Sequence, residues 1–135
     1  MLILSTNEEV FMKFLHVMIR VKDIEKSLKF YTELLDMNLT NEVRLDDATL
    51  YYLSDEDGQT QIELTYNDET PVEGYSVGSG FGHFAFHTNS SMDEFGEKMK
   101  SMGYKFIEEP FSLLGMRVAF LKDPDGYEIE VLSKD

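Results

Sequence analysis

The chain holds only three histidines, and two of them stand in matched places relative to two glutamates. His16 and His83 are 67 residues apart (83 − 16 = 67), as are Glu63 and Glu130 (130 − 63 = 67). Imidazole nitrogen and carboxylate oxygen both ligate first-row divalent metals, so a His, Glu, His, Glu set repeated at one offset is a metal-binding constellation. Alone, each of these residues has a plainer reading: a hydrogen-bonded strand histidine, or a glutamate on the solvated face of a half-exposed strand. Four in matched positions favour the metal. The same offset carries Arg20 to His87 (87 − 20 = 67), and His87, with no paired carboxylate in the sequence around it, reads as a non-ligand.

Such a set needs a frame that occurs twice. Between Phe14 and Val21 the residues alternate: Leu15, Val17, Ile19 and Val21 lie on one face of a strand, His16, Met18 and Arg20 on the other. Asp23 then caps a helix in which Ile24, Leu28, Tyr31 and Leu35 recur at helical spacing. Strands are expected at Leu39–Leu45 and Ala48–Leu53, then a turn at Ser54–Gly58, then a strand over Gln59–Asn67. In that last strand Gln61, Glu63, Thr65 and Asn67 share the face opposite Ile62, Leu64 and Tyr66.

The second half follows the same plan. A strand at Gly82–Thr88 puts His83, Ala85 and His87 on one face, and Ser91 with Glu94 makes a capping box for a helix whose apolar stripe is Met92, Phe95, Met99 and Met102. Gly103 stops that helix. Strands are expected at Tyr104–Glu108, Met116–Leu121 and Tyr127–Leu132, with Asp123-Pro-Asp-Gly126 as a tight turn. Each half therefore reads β-α-β-β-β. The class is α+β, and the chain divides into an N-terminal extension (1–12), a first module (13–67), a linker (68–80) and a second module (81–135), one domain overall. The repeat is not in strict register, because the two Asp-Gly turns are offset by 126 − 58 = 68.

Composition narrows the function. A net charge of −14 repels nucleic acid and anionic membrane surfaces, so neither is an expected partner, and an anionic small molecule would need its own local cation. Cysteine is absent, which removes disulfides, thiolate metal sites and cysteine nucleophiles. No signal peptide or transmembrane run is legible, and a cytoplasmic location is the default expectation.

Several stretches together resemble glyoxalase I, the lactoylglutathione lyase branch of the vicinal oxygen chelate superfamily: Leu15-His-Val-Met-Ile-Arg-Val21, Phe30-Tyr31, Ile62-Glu-Leu-Thr-Tyr-Asn67, Gly82-His83 and Asp123-Pro-Asp-Gly-Tyr-Glu-Ile-Glu130. The resemblance runs from about Met12 to Ser133. It implies two βαβββ modules with curved mixed sheets and helices outside, assembled as a homodimer with sites at the interface. It further implies that His16, Glu63, His83 and Glu130 ligate one divalent metal per site, nickel or cobalt ahead of zinc, and that Arg20 and Asn67 hold the thiol moiety. The implied reaction is isomerisation of the methylglyoxal–thiol hemithioacetal to an S-lactoyl thioester, with Glu130 as principal base and Glu63 as its counterpart.

Glutathione stands first among the thiols. However, where many relatives carry a Lys- and Gly-rich loop this chain has Phe111-Ser-Leu-Leu-Gly-Met116, which leaves other low-molecular-weight thiols open. Two readings compete with the isomerase. An extradiol-type dioxygenase of the superfamily uses two histidines and one carboxylate, and the fourth candidate ligand, Glu63, counts against it. A non-catalytic small-molecule binding module of the same fold usually lacks the ligand set altogether.

Overall fold

The computed structural model describes residues 12–134. The N-terminal extension expected at 1–12 thus lies outside the described residues except for Met12. The first half contains β1 (His16–Arg20), α1 (Ile24–Lys29), β2 (Asn38–Arg44), β3 (Ala48–Ser54) and β4 (Gln61–Asn67). The second contains β5 (His83–His87), α2 (Met92–Ser101), β6 (Phe111–Leu113), β7 (Met116–Lys122) and β8 (Glu128–Ser133). These strands build two four-stranded sheets of identical plan, β1-β4-β3-β2 and β5-β8-β7-β6.

In both sheets the edge strand that begins with a histidine runs parallel to the strand that carries the glutamate, while the remaining pairings are antiparallel. The one-residue slip in the repeat has a definite place. The β3–β4 hairpin spans six residues between its last paired positions, Ser54 and Gln61 (61 − 54 − 1 = 6). The β7–β8 hairpin spans five between Lys122 and Glu128 (128 − 122 − 1 = 5). Register is restored beyond the turn, so β4 and β8 keep the 67-residue offset.

Both helices start where their sequences say. The Asp23 carboxylate accepts from the Lys26 backbone N–H at 3.1 Å, and the Ser91–Glu94 capping box is complete, with Glu94 N–H donating to Ser91 Oγ and Ser91 N–H to Glu94 Oε1. They differ in length. After six residues α1 passes into a π-helical turn, Phe30–Leu34, closed by the Leu35 N–H donating to the Phe30 carbonyl five residues back. That wider turn buries Phe30, Tyr31 and Leu34 together.

One expected strand is corrected. Residues 104–108 do not form a strand: Phe106 makes a single bridge to Leu121, and the fourth strand of the second sheet is β6, at Phe111–Leu113. Pro110 lies between the two, with no N–H to give a ladder, and it breaks what would have been one edge strand. The Phe106 ring stacks on Phe95 of α2, centroids 6.3 Å apart, and the Ile107 N–H donates to the Phe120 carbonyl at 2.7 Å, so this segment is held by helix packing and a single point of pairing.

The helices and one face of each sheet share a single core. Ile19, Leu53, Ile62 and Leu64 of the first sheet, Ala119, Leu121, Ile129 and Val131 of the second, and Phe30, Tyr31, Leu34, Met92, Phe95 and Met99 of the helical segments belong to one continuous buried cluster. A polar clamp joins the halves as well. The β7–β8 turn reaches the first half through Tyr31 Oη donating to Asp123 Oδ2 (2.6 Å), the Lys22 N–H donating to Asp125 Oδ1 (2.8 Å) and Tyr127 Oη donating to the Arg20 carbonyl (2.9 Å). Burial pushes the Asp123 carboxyl up to about 6, against the opposing pull of the Tyr31 hydroxyl and two backbone N–H groups. The Tyr31 phenol is raised by the same burial and by the Asp123 charge.

Candidate active site

Since one face of each sheet is committed to the core, polar residues in the other phase of the alternation fall on the opposite face. On the first sheet that face carries His16, Met18 and Arg20 from β1 and Gln61, Glu63, Thr65 and Asn67 from β4. The register pairs Met18 with Glu63, which sets His16 diagonally beside it. On the second sheet it carries His83 and Ala85 with Glu128 and Glu130, and Ala85 pairs with Glu130. The parallel ladder thus delivers two equivalent contacts: His16 Nε2 to Glu63 Oε1 at 3.0 Å and His83 Nε2 to Glu130 Oε1 at 3.1 Å.

These spacings suit a shared cation. Two donors each roughly 2.1 Å from a metal and at right angles to one another stand about 3.0 Å apart. Each pair offers one nitrogen and one oxygen in that relation. Among the described residues, no three of the His, Asp and Glu side chains in the chain come together as a group that could hold a metal. The chain brings the four expected ligands together in twos, one pair per sheet.

An aromatic ring backs each histidine edge-on: Tyr52 against His16, centroids 5.5 Å apart, and Phe120 against His83 at 5.3 Å. Tyr52 and Phe120 occupy the same place in the two sheets, each paired across the ladder with the pair's glutamate. Burial, and after it the neighbouring Glu63 carboxylate, holds the Tyr52 phenol above its usual range. Thr65 adds another contact in the first sheet, its Oγ1 donating to Glu63 Oε2 at 2.7 Å. Sequence reasoning had placed Thr65 on this face without a role. The signal available was its position two residues beyond Glu63, which in a strand means the same side.

Arg20 and Asn67 come together too. Both line a cavity of about 600 Å³ that is also bounded by Asp46, Asp47, Asp68 and Glu69. Arg44 makes a two-pronged contact with Asp68, at 2.8 and 2.6 Å, and this hydrogen-bonded partner draws the Asp68 carboxyl below the ordinary range. The acidic rim was not anticipated from sequence, because its members come from the β2–β3 turn and from the segment after β4. A larger cavity, about 1030 Å³, opens between Val17 and Phe84 and contains none of the four metal-ligand candidates.

The departure noted at 111–116 is a hairpin with an apolar tip. Leu114 and Gly115 both have positive φ, 50° and 77°, as a two-residue turn between β6 and β7 requires, and Leu114 is 89% exposed. Phe111 lies nearly parallel to Phe120, at 6.5 Å, so the hairpin is connected by ring contacts to His83.

Residues 13–131 match the model of the Glyoxalase/Bleomycin resistance protein/Dioxygenase superfamily. The chain belongs to this superfamily. Among similar proteins, a probable lactoylglutathione lyase of Synechocystis is 39% identical, the match covering 90% of this chain and 95% of that protein. A probable chloroplastic lactoylglutathione lyase of Arabidopsis thaliana is also 39% identical, over 90% of this chain but 36% of its own length. This chain thus spans less than half the length of the plant relatives it matches. In three dimensions it is similar to the trypanothione-dependent glyoxalase I of Leishmania major, with a TM-score of 0.77 and 35% identity over 91% of this chain and 87% of that one. The two-sheet α+β architecture is therefore that of glyoxalase superfamily members.

Proposed function

We propose that this glyoxalase superfamily chain is a metal-dependent isomerase of the glyoxalase I type, a carbon–sulfur lyase that converts the hemithioacetal of methylglyoxal and a low-molecular-weight thiol to the S-lactoyl thioester. The observation that carries the reading is the pair of equivalent His–Glu contacts, Nε2 to Oε1, one on the open face of each sheet. The names of the relatives point the same way. On this reading residues 13–67 and 81–135 act as two modules joined by the linker 68–80.

His16, Glu63, His83 and Glu130 would hold one divalent metal. Since one chain presents its ligands in twos, the complete set comes from a homodimer in which the first pair of one protomer faces the second pair of its partner. Exposed apolar side chains around the first pair, Phe14, Leu15 and Met18, and on the second sheet, Phe111 and Leu113, supply surface for such an association. The plant relatives, of which this chain spans less than half, have room in one chain for a second such stretch. The mixed nitrogen and oxygen donor set suits nickel or cobalt as well as zinc.

The chemistry requires a proton to leave a carbon next to a carbonyl and return to its neighbour. A bound divalent metal supplies Lewis acidity that makes this carbon acid strong enough. Glu130 takes the proton from one carbon and delivers it to the next, and Glu63 stays as the opposing carboxylate. Arg20, with a fixed guanidinium, and Asn67 orient the thiol portion, Arg20 through a carboxylate of the thiol. Glutathione is the first thiol to test.

The test is direct. Purified protein loaded with nickel or cobalt is mixed with methylglyoxal and glutathione, and thioester absorbance is followed. Metal-dependent thioester formation that a chelator abolishes is the expected result. No thioester with glutathione or any other small thiol, at saturating metal, would overturn the reading.

A further inference from the structure

The two His–Glu pairs match in position but not in what surrounds them. Glu63 has both carboxylate oxygens engaged, Oε1 by His16 and Oε2 by the Thr65 hydroxyl. It is 7% exposed. In the second sheet the residue equivalent to Thr65 is Leu132 (65 + 67 = 132), and the registers agree, since Arg20 pairs with Thr65 where His87 pairs with Leu132. Leucine has nothing to donate, and the matched aromatic is Phe120 where the first sheet has Tyr52 with its hydroxyl. Among the described residues Glu130 therefore has one partner, His83, between two apolar neighbours.

We infer that Thr65 is a positioning residue that pins Glu63 as the stationary carboxylate of the site, and that Leu132, by withholding the equivalent hydrogen bond, leaves Glu130 free to turn and carry the proton. This rests on the isomerase reading for the proton but not for the pinning. A carboxylate whose second oxygen accepts from a buried hydroxyl must break that hydrogen bond to turn, whether its first oxygen lies beside an imidazole or on a metal. One with no such donor has no such bond to break. Outer hydrogen bonds of this kind fix ligand orientation and basicity.

Two substitutions separate the roles. Thr65→Val keeps shape and removes the donor, while Thr65→Ser restores it. Titrated with cobalt alone, with no substrate present, Thr65→Val should bind about tenfold or more weakly than wild type and change the visible cobalt spectrum, and Thr65→Ser should stay within about threefold. Leu132→Thr installs the missing donor beside Glu130. It should leave cobalt affinity equal to or better than wild type while lowering kcat at saturating metal by about tenfold, with little change in KM. Unchanged cobalt affinity in Thr65→Val, or a failure of Thr65→Ser to restore it in a folded protein, would overturn the assignment of Thr65. A kcat in Leu132→Thr equal to or above wild type would overturn that of Leu132. The cobalt titrations need no turnover, so they decide the pinning even where no thiol supports isomerisation.

Discussion

Glu63 and Glu130 occupy the same place on equivalent strands, at nearly the same distance from equivalent histidines, yet two polar residues beside the first have apolar counterparts beside the second. Tyr52 and Thr65 stand beside Glu63 where Phe120 and Leu132 stand beside Glu130. The contrast continues outward. Beyond the first pair lies a charged cavity with Arg20, Asn67 and an acidic rim. Beyond the second lies the apolar β6–β7 hairpin. The two copies share the donor atoms and the ring behind each histidine, and differ in the hydroxyls beside the carboxylate.

The comparison is broken most severely at Glu130. In Glu130→Gln the amide preserves the shape of the side chain and cannot accept the proton, so turnover at saturating metal should fall by about 10²–10⁴-fold. Glu63→Gln should show itself chiefly as weaker metal binding, read from the metal retained after dialysis. Equal losses of turnover at saturating metal in both variants would mean that the halves do not divide the work.

The next effect concerns the clamp that one half makes on the other. The Asp123 carboxyl is pushed by burial up to about 6, above the ordinary aspartate value of 3.8. A carboxyl raised on folding contributes stability that is fully present below the unfolded value and is lost as pH rises through the folded one. Replacing it with Asn should remove that pH dependence. The melting temperature of Asp123→Asn relative to wild type should therefore climb between about pH 4 and 7, by an amount equivalent to roughly 3 kcal/mol at most. A difference that is flat across that range would remove Asp123 as the titrating group.

Arg20 and His87 are counterparts by position, and only the first lies in a cavity with Asn67. Arg20→Ala should raise KM for the hemithioacetal by about 10–100-fold, the loss of one charge-assisted hydrogen bond, with metal content unchanged. His87→Ala should leave both within about twofold. Steady-state kinetics and metal analysis on the two variants test the contrast. The smallest effect belongs to the helix starts: Ser91→Ala removes half of the capping box on α2 and should cost about 1 kcal/mol of stability by denaturant titration. Asp23→Ala on α1, which has one such bond, should cost about the same or less.

Alternation alone was enough to put His16 with Arg20, Glu63 with Thr65 and Asn67, and His83 with Ala85, each set on one face of its own strand, because side-chain direction in a strand depends only on the parity of the residue number. The offset of 67, the caps at Asp23 and Ser91 and the stop at Gly103 were legible for the same reason, each being a property of a few neighbouring residues. The strand expected at Tyr104–Glu108 failed where local pattern met a competing demand: Pro110 interrupts the ladder and the Phe106 ring is taken by α2. Only the tertiary structure decided which groups meet. His16 reaches Glu63 because a parallel ladder sets Met18 opposite it, and the Thr65 hydroxyl turns toward that carboxylate while its counterpart is a leucine. The acidic rim around Arg20 and the Tyr31–Asp123 clamp likewise join segments far apart in the chain. Long-range pairing has no local periodicity to announce it, since its register is set by the whole sheet closing over one shared core.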